Sequence, residues 1–243
     1  MPEPDGSDDL ELASLWHETP DDELTPRQLE MRRLADAMRS VITRLVATGA
    51  PEEALAQAAD DLERIAAEFE HYPHGSLYEG FAEAANAGGT LSAFFDHSPL
   101  IGRANPLAPP ISVSVQEPGG VGGSGRRIVV GRARFGAAYE GPPGCVHGGF
   151  LAAAFDEVLG ATQSLSGRPG MTGTLTIRYR KPTPLHTDLR FEGRLVGIDG
   201  RKISTVGHVY ANDEMTAEAE GLFISIGEDR FAALKEEREK LAG

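Results

Sequence analysis

The sequence predicts an α+β protein in which an antiparallel sheet wraps around one long helix, with an N-terminal two-helix appendage. Three observations predict it. Two alternating apolar/polar segments precede a long, proline-free apolar run, and four more segments follow it. The later segments are broken at Asp199-Gly200 and Asn212-Asp213, tight-hairpin signals that make chain neighbours antiparallel. Upstream of all of these, residues 25–69 repeat apolar side chains at helical steps.

Composition narrows the function classes. With 243 residues and 40% apolar content, the chain has enough carbon for a real core. A formal net charge of −14 argues against a nucleic-acid surface, although local basic clusters leave room for an anionic small ligand. The single Cys145 gives neither an internal disulfide nor a multi-cysteine metal site. Met1 to Asp9 is acidic and does not read as a signal peptide, and no apolar run is long enough to span a bilayer. The expectation is a soluble cytoplasmic protein with no membrane partner.

In chain order, residues 1–24 are rich in Pro, Asp and Glu and read as a mobile acidic N-terminus. A helical region follows over 25–97. Thr25-Pro26 reads as an N-cap followed by proline at the first helical position. Leu34, Met38, Val41 and Leu45 mark one helix face, and Gly49 ends that helix. Pro51 opens a second, with Leu55, Ala58, Leu62, Ile65 and Phe69 in the same spacing, so an αα-hairpin is expected, a packing or dimer-stabilising element without chemistry. His71 and His74 lack a third ligand at suitable spacing and read as loop residues rather than a metal site.

Residues 98–227 form the main domain. Ile111 to Val115 alternates as a half-buried strand, and Arg127 to Phe135 is its return. Between them, Glu117 to Gly125 is a glycine-rich turn; no Lys-Ser/Thr follows it, so it is not a phosphate loop. Phe150 to Leu165 is the long buried helix. Thr172 to Arg180, Asp188 to Ile198, Lys202 to Ala211 and Met215 to Ile226 are the remaining strands. Residues 228–243 read as a charged C-terminal helix.

The chemistry concentrates where a Gly/Pro-rich loop, Tyr139 to Gly144, delivers His147, Gly148 and Gly149 onto the long helix. Glycines at a helix start leave backbone N–H groups open to an approaching acyl oxygen. One carboxylate, Asp156, lies further along, where an apolar setting would desolvate it and raise its pKa, as suits a general base. Gly149 and Asp156 are two turns apart on one face, about 10 Å along the axis. That is too far for both to act on one acyl carbon. A homodimer with two such helices antiparallel, or a dimer of such dimers, would bring Asp156 of one chain near Gly149 of the other. In the strand behind, alternation puts Thr172, Thr174, Thr176, Arg178 and Arg180 on one face and Leu175, Ile177 and Tyr179 on the other. The Thr172 hydroxyl is placed to hold water or the carboxylate. Arg178, Arg180 and Lys181, with Arg201 and Lys202 from a later turn, read as a basic patch for the phosphates of a nucleotide-bearing carrier. Cys145 reads as a small loop residue rather than a thiol nucleophile.

These residues carry a family resemblance. Gly144-Cys145-Val146-His147-Gly148-Gly149 with Asp156, then Met171 to Leu175 and Tyr179-Arg180-Lys181-Pro182, resemble the hotdog-fold acyl-CoA thioesterases of the PaaI type, above all superfamily members acting on medium- and long-chain acyl-CoA. The likeness covers about Pro99 to Gly227. His-Gly-Gly alone is a weak signal; the aspartate seven residues past the second glycine and the Thr-bearing strand make it more specific. The resemblance implies Asp156 as catalytic acid/base and His147 as the residue that orients or closes the site. It implies Gly149 as oxyanion donor, Thr172 as partner of the water, and Arg180 on the strand leading to the CoA site. No metal or redox cofactor is implied, since CoA belongs to the substrate. Two competitors remain open: hydration or dehydration of an acyl thioester on the same fold, and a non-catalytic acyl-CoA-binding or regulatory module.

Overall fold

A computed structural model describes residues 24–72, 96–117, 127–168 and 170–225. The acidic start up to residue 23, the linker over 73–95, the turn over 118–126 and the C-terminal helix of the sequence reading lie outside these residues.

Six strands build one fully antiparallel sheet: β1 (Ser112–Gln116), β2 (Ile128–Arg134), β3 (Gly170–Tyr179), β4 (Asp188–Asp199), β5 (Lys202–Ala211) and β6 (Glu214–Ser225). Their spatial order is β1-β2-β4-β5-β6-β3. The tight turns lie where the sequence marks them. At Asn212 and Asp213 both residues take positive φ, 50° and 62°, as a two-residue type I′ hairpin demands. Gly200 supplies the positive φ of the β4–β5 turn.

The first two helices, α1 (Pro26–Leu45) and α2 (Glu52–Phe69), precede the sheet, and α3 (Gly148–Ser164) lies across its inner face. Inward residues of alternate strand positions meet α3. Phe155, Val158 and Leu159 from the helix and Val129, Phe191, Ile203, Val209 and Phe223 from the sheet are almost wholly removed from water. Phe155 meets Phe191 edge-on, with centroids 5.4 Å apart. The helix comes close because the sheet thins beneath it: a Cβ at Gly131 would stand 2.6 Å from the Val158 side chain, and one at Gly193 would overlap Thr162.

Helix α1 is capped as its sequence prescribes. Thr25 accepts from the Gln28 N–H, Gln28 answers through its side chain, and Pro26 opens the first turn. Buried Arg32 ties it to the segment just before the main domain, its guanidinium reaching both Asp96 carboxylate oxygens at 2.8 and 2.9 Å. Arg39 adds hydrogen bonds to the carbonyls of Arg103 and Asn105. Helix α2 departs from the expected packed hairpin. It has no buried residue, and the α1 face meant to receive it is exposed as well.

Candidate active site

The loop before α3 is a small hairpin. Gly141 N–H donates to the Cys145 carbonyl and His147 N–H to the Tyr139 carbonyl, while Val146 is tied to Thr183 behind it. Gly144 turns with φ +73°, and its N–H donates to the Glu140 carboxylate. This delivers His147 as the N-cap of α3. Its ring Nδ1 accepts from the Gly149 N–H at 3.0 Å, which in a neutral ring leaves the proton on Nε2. The N–H expected to receive an acyl oxygen therefore has an imidazole partner here. Gly148 is fixed from the other side, where the Tyr179 hydroxyl donates to its carbonyl at 2.8 Å. Sequence reasoning treated Tyr179 as an apolar-face residue and missed this contact.

Asp156 lies two turns along α3, on the side that carries Gly149, and both are exposed in the single chain. The Thr172 hydroxyl donates to Asp156 Oδ1 at 2.8 Å. That contact corrects the strict alternation expected for β3. The pairing with β6 slips between Thr172 and Thr174, leaving Gly173 as an extra residue. Thr172 therefore sits opposite Phe223 on the helix side, while Thr174 sits opposite Leu222 on the outer face.

The burial expected for Asp156 falls instead on its neighbour. Burial, reinforced by the charge of Asp156, pushes the Glu157 carboxyl up to about 7. Glu157 is half-buried on the flank of α3, where its apolar surroundings disfavour the ionised form. Asp156 is exposed on the outer side of α3.

The expected basic patch divides. Arg178 and Arg180 meet Glu218 of β6, at 3.5 and 2.5 Å, and Lys181 pairs with Glu214. The two arginines hold the Glu218 carboxyl below the usual carboxylate range, chiefly through the Arg180 hydrogen bond. Arg201 and Lys202 lie elsewhere. Lys202 stands opposite Ile224, which faces Met171 at the other end of β3, about 20 Å from Arg178 along the strand. Arg201 donates to the Ser225 carbonyl. The Cys145 thiol lies 3.5 Å from the Pro143 carbonyl. Among the described residues no three His, Cys, Asp or Glu side chains converge as metal ligands would, and no helix is long and apolar enough to cross a membrane.

What the arrangement can do chemically is narrow. A carboxylate with one oxygen held by a hydroxyl can take a proton on the other, and a glycine N–H at the start of a helix can steady a growing negative charge.

Comparison with known proteins places the same segment in a family. The thioesterase superfamily pattern matches residues 143–218, from the loop into the first part of β6. Acyl-coenzyme A thioesterase THEM4 of Xenopus laevis is 35% identical over 89 residues, covering 36% of this chain and 40% of that protein. THEM5 of Homo sapiens is 32% identical over 93 residues, covering 37% and 38%. The chain thus spans about two-fifths of the length of these curated relatives. A solved structure, thioesterase superfamily protein RHA08564, is 33% identical and superposes with a TM-score of 0.63, covering 80% of this chain and 94% of that one.

Proposed function

This chain belongs to the thioesterase superfamily and carries its hotdog fold, and from that premise we propose that it hydrolyses the thioester of a fatty, medium- to long-chain acyl-CoA to the free acid and CoA. One observation carries the mechanism: the Thr172–Asp156 hydrogen bond at 2.8 Å, at the surface of the protomer and on the helix face that also bears Gly149.

In this reading Asp156 is the general base. Thr172 donates to one carboxylate oxygen and accepts from the attacking water, while the other oxygen takes the proton of that water. Water adds to the acyl carbon, the carbonyl oxygen becomes an oxyanion, and collapse expels the CoA thiolate. The oxyanion is met by the Gly149 N–H, aided by the partial positive charge of the α3 N-terminus. His147 holds that N–H until substrate arrives and yields it to the acyl oxygen. Tyr179 keeps the Gly148 peptide from turning while this happens. Arg178, Arg180 and Lys181 leave their β6 carboxylates to receive phosphates of the carrier, with Arg201 and Lys202 as a second, separate group. No metal or redox group takes part.

The site is shared between two chains. Gly149 and Asp156 are too far apart along one helix to serve one carbon, and both are open to solvent. Small side chains, Ala152 and Ala153, lie between them and permit close approach of a second helix. Edge strand β3 supports the same arrangement. It presents ten residues with neither Pro nor Lys on the side not paired to β6, an edge suited to joining a second copy.

The test is thiol release from a panel of acyl-CoAs of graded chain length. Wild-type protein is expected to release CoA from the longer chains. Asp156→Asn is expected to bind the same substrates and lose about 10²- to 10⁴-fold in turnover. Full turnover by Asp156→Asn would remove the general base, and binding without any release by wild type would make the protein a binding module.

A further inference from the structure

Helix α2 has the sequence of a helix that is covered, yet among the described residues nothing covers it. Leu55, Ala58, Leu62, Ile65 and Phe69 recur at steps of three and four, the narrow seam of a helix that packs on another helix. Every residue from Glu52 to Phe69 is exposed, and the large members of the seam are between 39% and 48% accessible. Helix α1 carries a matching seam. Leu34, Met38, Val41 and Leu45 follow the same spacing and are between 38% and 55% accessible, beside the face on which Arg32 and Ala35 are buried.

The two helices are opposite in charge. Helix α1 has five arginines against Glu30 and Asp36. Helix α2 has six carboxylates against Arg64. The seams therefore match in pattern and the two helices are opposite in net charge, but among the described residues they stand apart across the short connection from Val46 to Pro51.

We infer that α2 is an exchange arm: it lies antiparallel on α1 of a second copy of this chain, while the α2 of that copy lies on this α1. Exchange reproduces between chains the contacts that a closed hairpin would make within one, so apolar spacing and charge favour it without any new surface. The register follows from the seams, with Met38 opposite Leu62 and Val41 opposite Ala58. A second copy is the occupant because a partner for α2 must carry both an apolar heptad seam and a surplus of positive charge, and α1 supplies both. The inference does not rest on thioester chemistry.

Single cysteines placed on the full-length chain test it. A tagged Met38→Cys chain is mixed with an untagged Leu62→Cys chain, oxidised, and separated under denaturing conditions. Wild type, which keeps Cys145, serves as control, and Val41→Cys with Ala58→Cys is the second pair. All four positions are on exposed seams, so folding is expected to survive, as circular dichroism will check. Exchange predicts a covalent two-chain product that contains one copy of each variant. Two results would overturn it: an intrachain crosslink in the Met38→Cys/Leu62→Cys double variant at high dilution with no mixed product, or no crosslink for either pair.

Discussion

Glu157→Gln is the substitution whose effect follows most directly from the geometry. A carboxyl held at about 7 rather than at 4.5 is a carboxyl that the folded chain prefers neutral. Below pH 4.5 it is protonated in both folded and unfolded chains, and it costs nothing. As pH rises, the unfolded chain releases the proton first, so the native state loses stability until Glu157 itself ionises near 7. Above that the full penalty applies, about 3 kcal/mol at 1.36 kcal/mol for each tenfold change in proton affinity. Glutamine keeps the shape and a similar helix propensity without the charge. The variant is therefore expected to exceed wild type by about 3 kcal/mol at pH 8 and by under about 1 kcal/mol at pH 5. In thermal melts at pH 8 this corresponds to roughly 6–12 °C. Urea unfolding at both pH values and one fixed protein concentration reads the difference. A gain that is equal at pH 5 and pH 8 would trace the effect to packing, and a loss at pH 8 would mean that the ionised form has a partner. Either result refutes the desolvation argument.

Two further substitutions address the site. Thr172→Ala removes the hydroxyl that Asp156 holds, and steady-state thiol release is expected to fall about 10- to 100-fold in kcat with KM little changed, the scale of one hydrogen bond to a charged group; an unchanged kcat would leave Thr172 a strand residue only. Glu218→Gln frees Arg180 and leaves Arg178 only Glu220, 3.7 Å away, and KM for acyl-CoA is expected to fall a few-fold at low salt, with the gain lost at high salt. A KM that does not move would take both arginines out of the carrier site.

Much of this architecture is legible in the sequence because its signals are local. The alternation of β1, β2, β4, β5 and β6 marks the strands, and the Asp199-Gly200 and Asn212-Asp213 turns make β4, β5 and β6 antiparallel neighbours, while the β2–β4 and β6–β3 pairings join strands far apart in the chain. Thr25-Pro26 announces a helix start that the structure caps as expected. What the sequence did not reveal lies between elements. The slip at Gly173 belongs to the pairing of β3 with β6, so strict alternation along β3 alone puts Thr172 on the wrong face. Helix α3 is apolar on nearly every side, which blurs its rotational phase and hides that Glu157 is half-buried while Asp156 is exposed. The ion pairs from Arg178, Arg180 and Lys181 cross to β6, some 35 residues away in the chain, where a count of local charge does not reach. Tyr179 reads as one more apolar strand residue until its hydroxyl is seen on the Gly148 carbonyl.

The claim on which the mechanism turns is that each active site takes its base from one chain and its oxyanion donor from the other. Mixed subunits test it most directly. Asp156→Asn removes the base, and Gly149→Pro removes the N–H at a first-turn position where proline is tolerated. Each variant alone is expected to be nearly inactive. After the two are unfolded together and refolded in equal amounts, half of the dimers are mixed. Each mixed dimer has one site with an intact Asp156 and an intact Gly149, so about a quarter of wild-type thiol release is expected to return. If the mixture stays as inactive as its components while mixed dimers are present, base and oxyanion donor belong to the same chain, and the shared site is contradicted.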